Sequence, residues 1–123
     1  FDVISSILQD SIVPVIDMHY SKIDSQFLLT ASRFSNEDYD KKKQTKRIIF
    51  GVCFEKVDKV KKRNFPSNNK ENILNLLSIS YENDFISLLF SNDIELKLFG
   101  KAIFLRLDDL DKQWPTIFIP KHR

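Results

Sequence analysis

Apolar and polar residues alternate along this chain with two different periods. Phe1, Ile4, Leu8 and Ile12 share one face at helical spacing, with Ile7 beside them, while Asp2, Ser5, Ser6, Gln9 and Asp10 fall elsewhere. This predicts an N-terminal helix over residues 1–12. Pro14 stops it, because the residue before a proline avoids the helical region. From Val13 the period drops to two. Ile16, Met18 and Tyr20 alternate with Asp17 and His19, and a second strand over 26–34 follows a turn at 21–25. The two read as a hairpin. Pro14 is expected at the start of its strand or on a sheet edge.

Residues 35–46 are polar except for Tyr39 and read as a mobile loop. Strand character returns over 47–54, with Ile48, Phe50, Val52 and Phe54 on one face and Ile49 and Cys53 on the other. It continues over 55–63, where Val57 and Val60 have opposite parity, so a bulge or bend is expected. A loop over 64–72 leads to a strand over 73–82, with Ile73, Leu77, Ile79 and Tyr81 facing one way. A hairpin over 85–90 and 94–99 turns at Ser91-Asn92-Asp93. After Gly100, the residues Ile103, Leu107, Leu110 and Trp114 recur at i, i+4, i+7 and i+11. That stripe predicts a C-terminal amphipathic helix ended by Pro115, followed by a tail that docks in part through Ile117, Phe118 and Ile119. The expected fold is α+β: a bent antiparallel sheet or pleckstrin-homology-like barrel of six to seven strands, with an N-terminal helix and a C-terminal amphipathic helix. At 123 residues a single domain over 1–123 is expected.

Composition narrows the function classes. Hydrophobic residues make up 42% and charged residues 29%, which excludes a wholly disordered chain. No apolar run approaches the ~18 residues of a membrane span. With 19 basic and 17 acidic residues the formal charge is +2, too balanced to demand nucleic acid, which stays a less favoured partner. Gly51 and Gly100 are the only glycines, so a Walker loop and a dinucleotide fingerprint are both excluded. The lone cysteine, Cys53, has no disulfide partner. The residues present show no signal-peptide pattern, and a cytoplasmic location is expected.

Several segments taken together resemble a known family. They are Leu8-Gln9-Asp10, Asp17-Met18, Arg33-Phe34, the run from Phe54 through Val57 to Val60, Leu76-Leu77-Ser78-Ile79, Leu107-Asp108-Asp109-Leu110 with Trp114, and Pro120-Lys121-His122. In this order they resemble domain-of-unknown-function family 2948, small proteins of alphaproteobacteria. The resemblance implies bacterial origin and a cytoplasmic location. It supplies no catalytic residue. The pattern departs at Ser35-Asn36-Glu37-Asp38, where an aromatic-acidic pair is expected, and in its lysines where arginines are expected.

Chemistry-bearing residues favour binding over catalysis. Asp108, Asp109 and Asp111 fall off the apolar stripe and read as solvated. Asp17 is expected to pair with Arg33 across the hairpin. Cys53 has no neighbour in sequence that would lower its pKa and reads as a small buried hydrophobe. Asp17 and His19 could supply two metal ligands, too few for a structural site, so neither metal nor cofactor is expected. The expected function is a non-enzymatic binding or assembly module. It would contact a protein partner or a second copy through the C-terminal helix or a sheet edge, with Arg33, Arg106, Trp114 and Phe118 as interface candidates. The alternative is an anionic-ligand binder, for RNA or acidic lipid, through Lys56, Lys59, Lys61, Lys62 and Arg63. No exposed aromatic pair for base stacking is evident from the sequence.

Overall fold

Period-two alternation governs more of the chain than the sequence pattern alone suggests. The computed structural model describes residues 2–39, 42–66, 72–110 and 115–118. Among them one helix, α1 (Asp2–Leu8), precedes ten strands. These are β1 (Ser11–Pro14), β2 (His19–Ser21), β3 (Gln26–Tyr39), β4 (Lys42–Glu55) and β5 (Lys59–Arg63), then β6 (Ile73–Tyr81), β7 (Phe85–Phe90), β8 (Ile94–Phe99), β9 (Phe104–Asp109) and β10 (Pro115–Phe118). They form one antiparallel sheet in the order β10-β9-β4-β3-β1-β6-β7-β8-β5, with β2 pairing β3 off this path.

The topology forces the sheet to curl. β4 and β5 stand third and ninth in that order, yet only Lys56, Val57 and Asp58 separate them. In a flat sheet six strand steps would be about 29 Å. The chain from Glu55 to Lys59 reaches at most about 14 Å. The two halves therefore face each other around one core. Phe27, Leu29, Val52, Phe54 and Leu105 come from one half, and Ile86, Leu88, Phe90, Leu96 and Leu98 from the other. Leu8 of α1 is fully buried against them. At the corner the Val57 N–H donates to the Ser25 carbonyl (2.8 Å) and the Asp58 N–H to the Phe99 carbonyl (2.7 Å). The Tyr20 hydroxyl donates to the Val57 carbonyl (3.0 Å). Gly100 packs beneath the corner, where a Cβ would lie 2.3 Å from the Lys56 carbonyl oxygen and 2.8 Å from Ile103 Cγ1.

Several expectations are corrected. The fold is nearly all-β, with ten strands among the described residues rather than six to seven. No C-terminal helix forms among the described residues. Residues 104–109 are β9, and Ile103, Leu105 and Leu107 are buried at alternate positions. Ile103 and Leu107 are four apart, which fits one helix face and equally two strand repeats. Leu105 between them decides for the strand. The sheet also does not close, since its end strands β10 and β5 each pair on one side only among the described residues. A barrel sealed by a helix is therefore not this fold. The expected loop over 35–46 is instead the extension of a long β3–β4 hairpin, whose register sets Asp38 opposite Lys43. Acidic and basic halves of one polar run can face each other across a ladder.

Smaller departures have local causes. α1 is shorter than the apolar face suggested, because residues 11–14 pair with β6 instead of continuing the helix. Pro14 ends β1 rather than starting a strand. A register shift between Leu76 and Ser78 reverses parity within β6. Leu74, Leu76 and Ile79 are buried, whereas Ile73 and Leu77 face outward. The hairpin at Ser91–Asp93 and the bend between Val57 and Val60 form as expected.

Candidate functional site

β5 shows how strict alternation sorts one basic run into different environments. Its register with β8 sets Lys59 opposite Phe99, Lys61 opposite Lys97 and Arg63 opposite Glu95, while Val60 and Lys62 face Leu98 and Leu96. Leu96 and Leu98 are core residues, so Lys59, Lys61 and Arg63 point to the outer face. The β7–β8 register continues that face with Phe85 opposite Phe99 and Ser87 opposite Lys97. The Phe85 and Phe99 rings lie 5.3 Å apart between centroids, tilted by 41°. Lys61 Nζ lies 5.5 Å from the Phe99 centroid, and Lys97 Nζ lies 5.0 Å from that of Phe85. Both rings are only partly buried. The lysine stems cover some of their apolar surface, and the cation–π attraction holds them there.

The five candidate cations are not equivalent. Arg63 pairs with Asp93 (3.0 Å) and Glu95 (3.2 Å) and adds little net field. Lys56 sits at the corner, 5.9 Å from the Phe104 centroid. Lys62 lies on the opposite side of β5, 5.0 Å from the Phe65 centroid. Lys59 and Lys61 remain on the outer face, joined by Lys97. No carboxylate lies within ion-pair distance of these three among the described residues. Two ammonium groups directly across a ladder repel each other. Sequence reasoning missed Lys97 and Phe85. The usable signal was parity, because Lys97 and Phe99 are two apart in a strand whose inward positions are Ile94, Leu96 and Leu98.

Two depressions mark the surface. A cavity of about 430 Å³ is lined by Met18, His19, Tyr20, Phe27, Val60 and Lys62. A shallower one of about 240 Å³ lies on the outer face of β3, β4 and β9, with Gly51 and Cys53 on its floor and Asp17, Arg106 and Asp108 around it. The Cys53 thiol is pushed up to about 11, by burial first and then by the Glu55 carboxylate. It stays protonated at neutral pH and is a poor nucleophile. Asp17 does not pair with Arg33: it accepts a hydrogen bond from Thr30 Oγ1 (2.7 Å). Arg33 instead donates to the Ile7 carbonyl (2.8 Å), one of the carbonyls left open at the end of α1. Arg106 lies 4.0 Å from Glu55 and opposite Ile117 in the β9–β10 ladder. Phe118 ends β10, and Trp114 lies outside the described residues. No group of three or more His, Cys, Asp or Glu side chains converges among the described residues.

These features define a curled antiparallel β-sheet protein with a basic, aromatic outer face beside an unclosed seam. Residues 1–122 match the family model described as a protein of unknown function (DUF2948), and the chain belongs to that family. No curated protein and no solved structure matches it. No helix among the described residues is long and apolar enough to cross a membrane.

Proposed function

We propose that this protein is a non-enzymatic module that binds single-stranded nucleic acid on the outer face of β5, β8 and β7. One observation carries the reading: Lys61 and Lys97 stand directly opposite each other with no ion-paired carboxylate among the described residues, over the neighbouring rings of Phe85 and Phe99. Phosphates would relieve the repulsion between the ammonium groups and draw them off the rings. The exposed ring faces would then take bases, whose stacking is worth about 1–3 kcal/mol each. Such a partner fits a cytoplasmic site of action, which is part of the proposal.

Fluorescence anisotropy with a labelled uridine oligomer tests this. Affinity is expected to fall steeply between 20 and about 200 mM salt. Replacing Lys61 and Lys97 together by glutamine should lower the salt slope by about 1.4, given about 0.7 per phosphate contact on a single strand. Absence of binding at low salt overturns the reading. Binding to acidic vesicles in place of the oligomer would assign the same cations to lipid headgroups.

A second reading is contact with another protein along a sheet edge, through the side of β10 that pairs with no strand among the described residues. The lysines of β5 discourage strand addition at the other end of the sheet. Arg106 and Phe118 lie on the β9–β10 ladder and remain the interface candidates there. Sedimentation of a strict monomer, with no partner recovered from the native cell, would count against it.

A further inference from the structure

We infer that the seam between β2 and β5 is a binding site for a small organic anion with an apolar body, such as a medium-chain carboxylate. This site is independent of the outer face, because Val60 and Lys62 have the opposite parity to Lys59 and Lys61. Among the described residues β5 ends the sheet, and β2 pairs only with β3. The cavity of about 430 Å³ lies between them, with Met18, His19 and Tyr20 on one wall, Val60 and Lys62 on the other, and Phe27 from β3. Its size falls in the range of small-molecule sites, roughly 300–1,000 Å³.

The polar groups of this cavity are unevenly satisfied. The Tyr20 hydroxyl already donates to the Val57 carbonyl, so the wall formed by Met18, Tyr20, Phe27 and Val60 asks for apolar contact. Lys62 is anomalous. It occupies a position opposite Leu96, where alternation would place a core side chain, and no carboxylate pairs with it among the described residues. A cation at the mouth of an apolar cavity selects a ligand whose charged head stays at the rim while its body enters. A carboxylate on an alkyl chain has that form, and an ammonium–carboxylate contact is the stronger kind of hydrogen bond.

Octanoate and octanol, compared by calorimetric titration of the whole protein and by thermal shift, separate the contributions of head and tail. Octanoate is expected to bind saturably and to raise Tm, with octanol weaker by roughly tenfold, the ratio set by one charge-assisted contact. Lys62→Gln should bring octanoate down to the octanol affinity. Val60→Trp should remove both ligands by filling the cavity. Because the Lys62 side chain is exposed, Lys62→Gln carries the test if Val60→Trp does not fold. No saturable octanoate binding, or binding unchanged by Lys62→Gln, overturns the inference. Neither result bears on the oligonucleotide reading, whose residues are different.

Discussion

Gly51 and Gly100 meet opposite surroundings, and they make opposite predictions. A Cβ on Gly51 would sit 3.7 Å from Leu110 Cδ2 and 3.8 Å from Asp108 Cβ, ordinary van der Waals distances. Gly51→Ala should fold and gain about 0.5 kcal/mol, because alanine restricts the unfolded chain. Gly100→Ala drives a methyl into the Lys56 carbonyl, and a loss of about 3 kcal/mol is expected. Urea denaturation of the two variants checks both signs. Ser11 supplies a third case. It is fully buried, and its hydroxyl oxygen has no partner among the described residues. Ser11→Ala is expected to raise stability by about 1 kcal/mol in the same assay. Cys53 gives a pH signature. Its folded pKa of about 11 lies above the ordinary value of 9.0, so the native state holds the proton more tightly than the unfolded chain does. The Cys53 contribution is intact below pH 9 and is lost as pH rises from 9 to 11, by at most about 3 kcal/mol. Subtracting the profile of Cys53→Ala isolates it from the lysines and tyrosines that titrate nearby.

Among elements, β9 tests the fold most directly. Hydrogen exchange should show slow amides over residues 104–109, paired with β4 on one side and β10 on the other. A helix there would leave the β4 edge open, so fast exchange of the Gly51 and Cys53 amides, which face β9, would contradict the ladder. β8 was legible in the sequence because Ile94, Leu96 and Leu98 alternate with Glu95 and Lys97, and β7 because it is a short apolar run before an obvious turn. β9 was not, since a spacing of four satisfies both periods and Trp114 extended the helical reading by one more turn. β6 was legible as a strand but not in its facing, because a bulge leaves no mark on hydrophobicity. The basic face was half legible. The lysines of β5 could be named, yet their division between two faces and the arrival of Lys97 depend on a register set by pairings 32 to 40 residues apart in sequence.

For the whole molecule, the three-residue corner governs how the protein assembles. β5 follows β4 immediately, but its partner β8 is made more than 30 residues later. Pairings of such separation form slowly, so the folding rate should be that of a non-local β protein, in the range of milliseconds to seconds. Stopped-flow refolding followed by Trp114 or tyrosine fluorescence measures it. During that delay β5 is a bare strand with both edges open, the kind of segment that recruits other chains. Four of its five residues are cationic. The same charges that give the finished protein its basic face would keep the nascent chain from associating with its copies while it waits for β8.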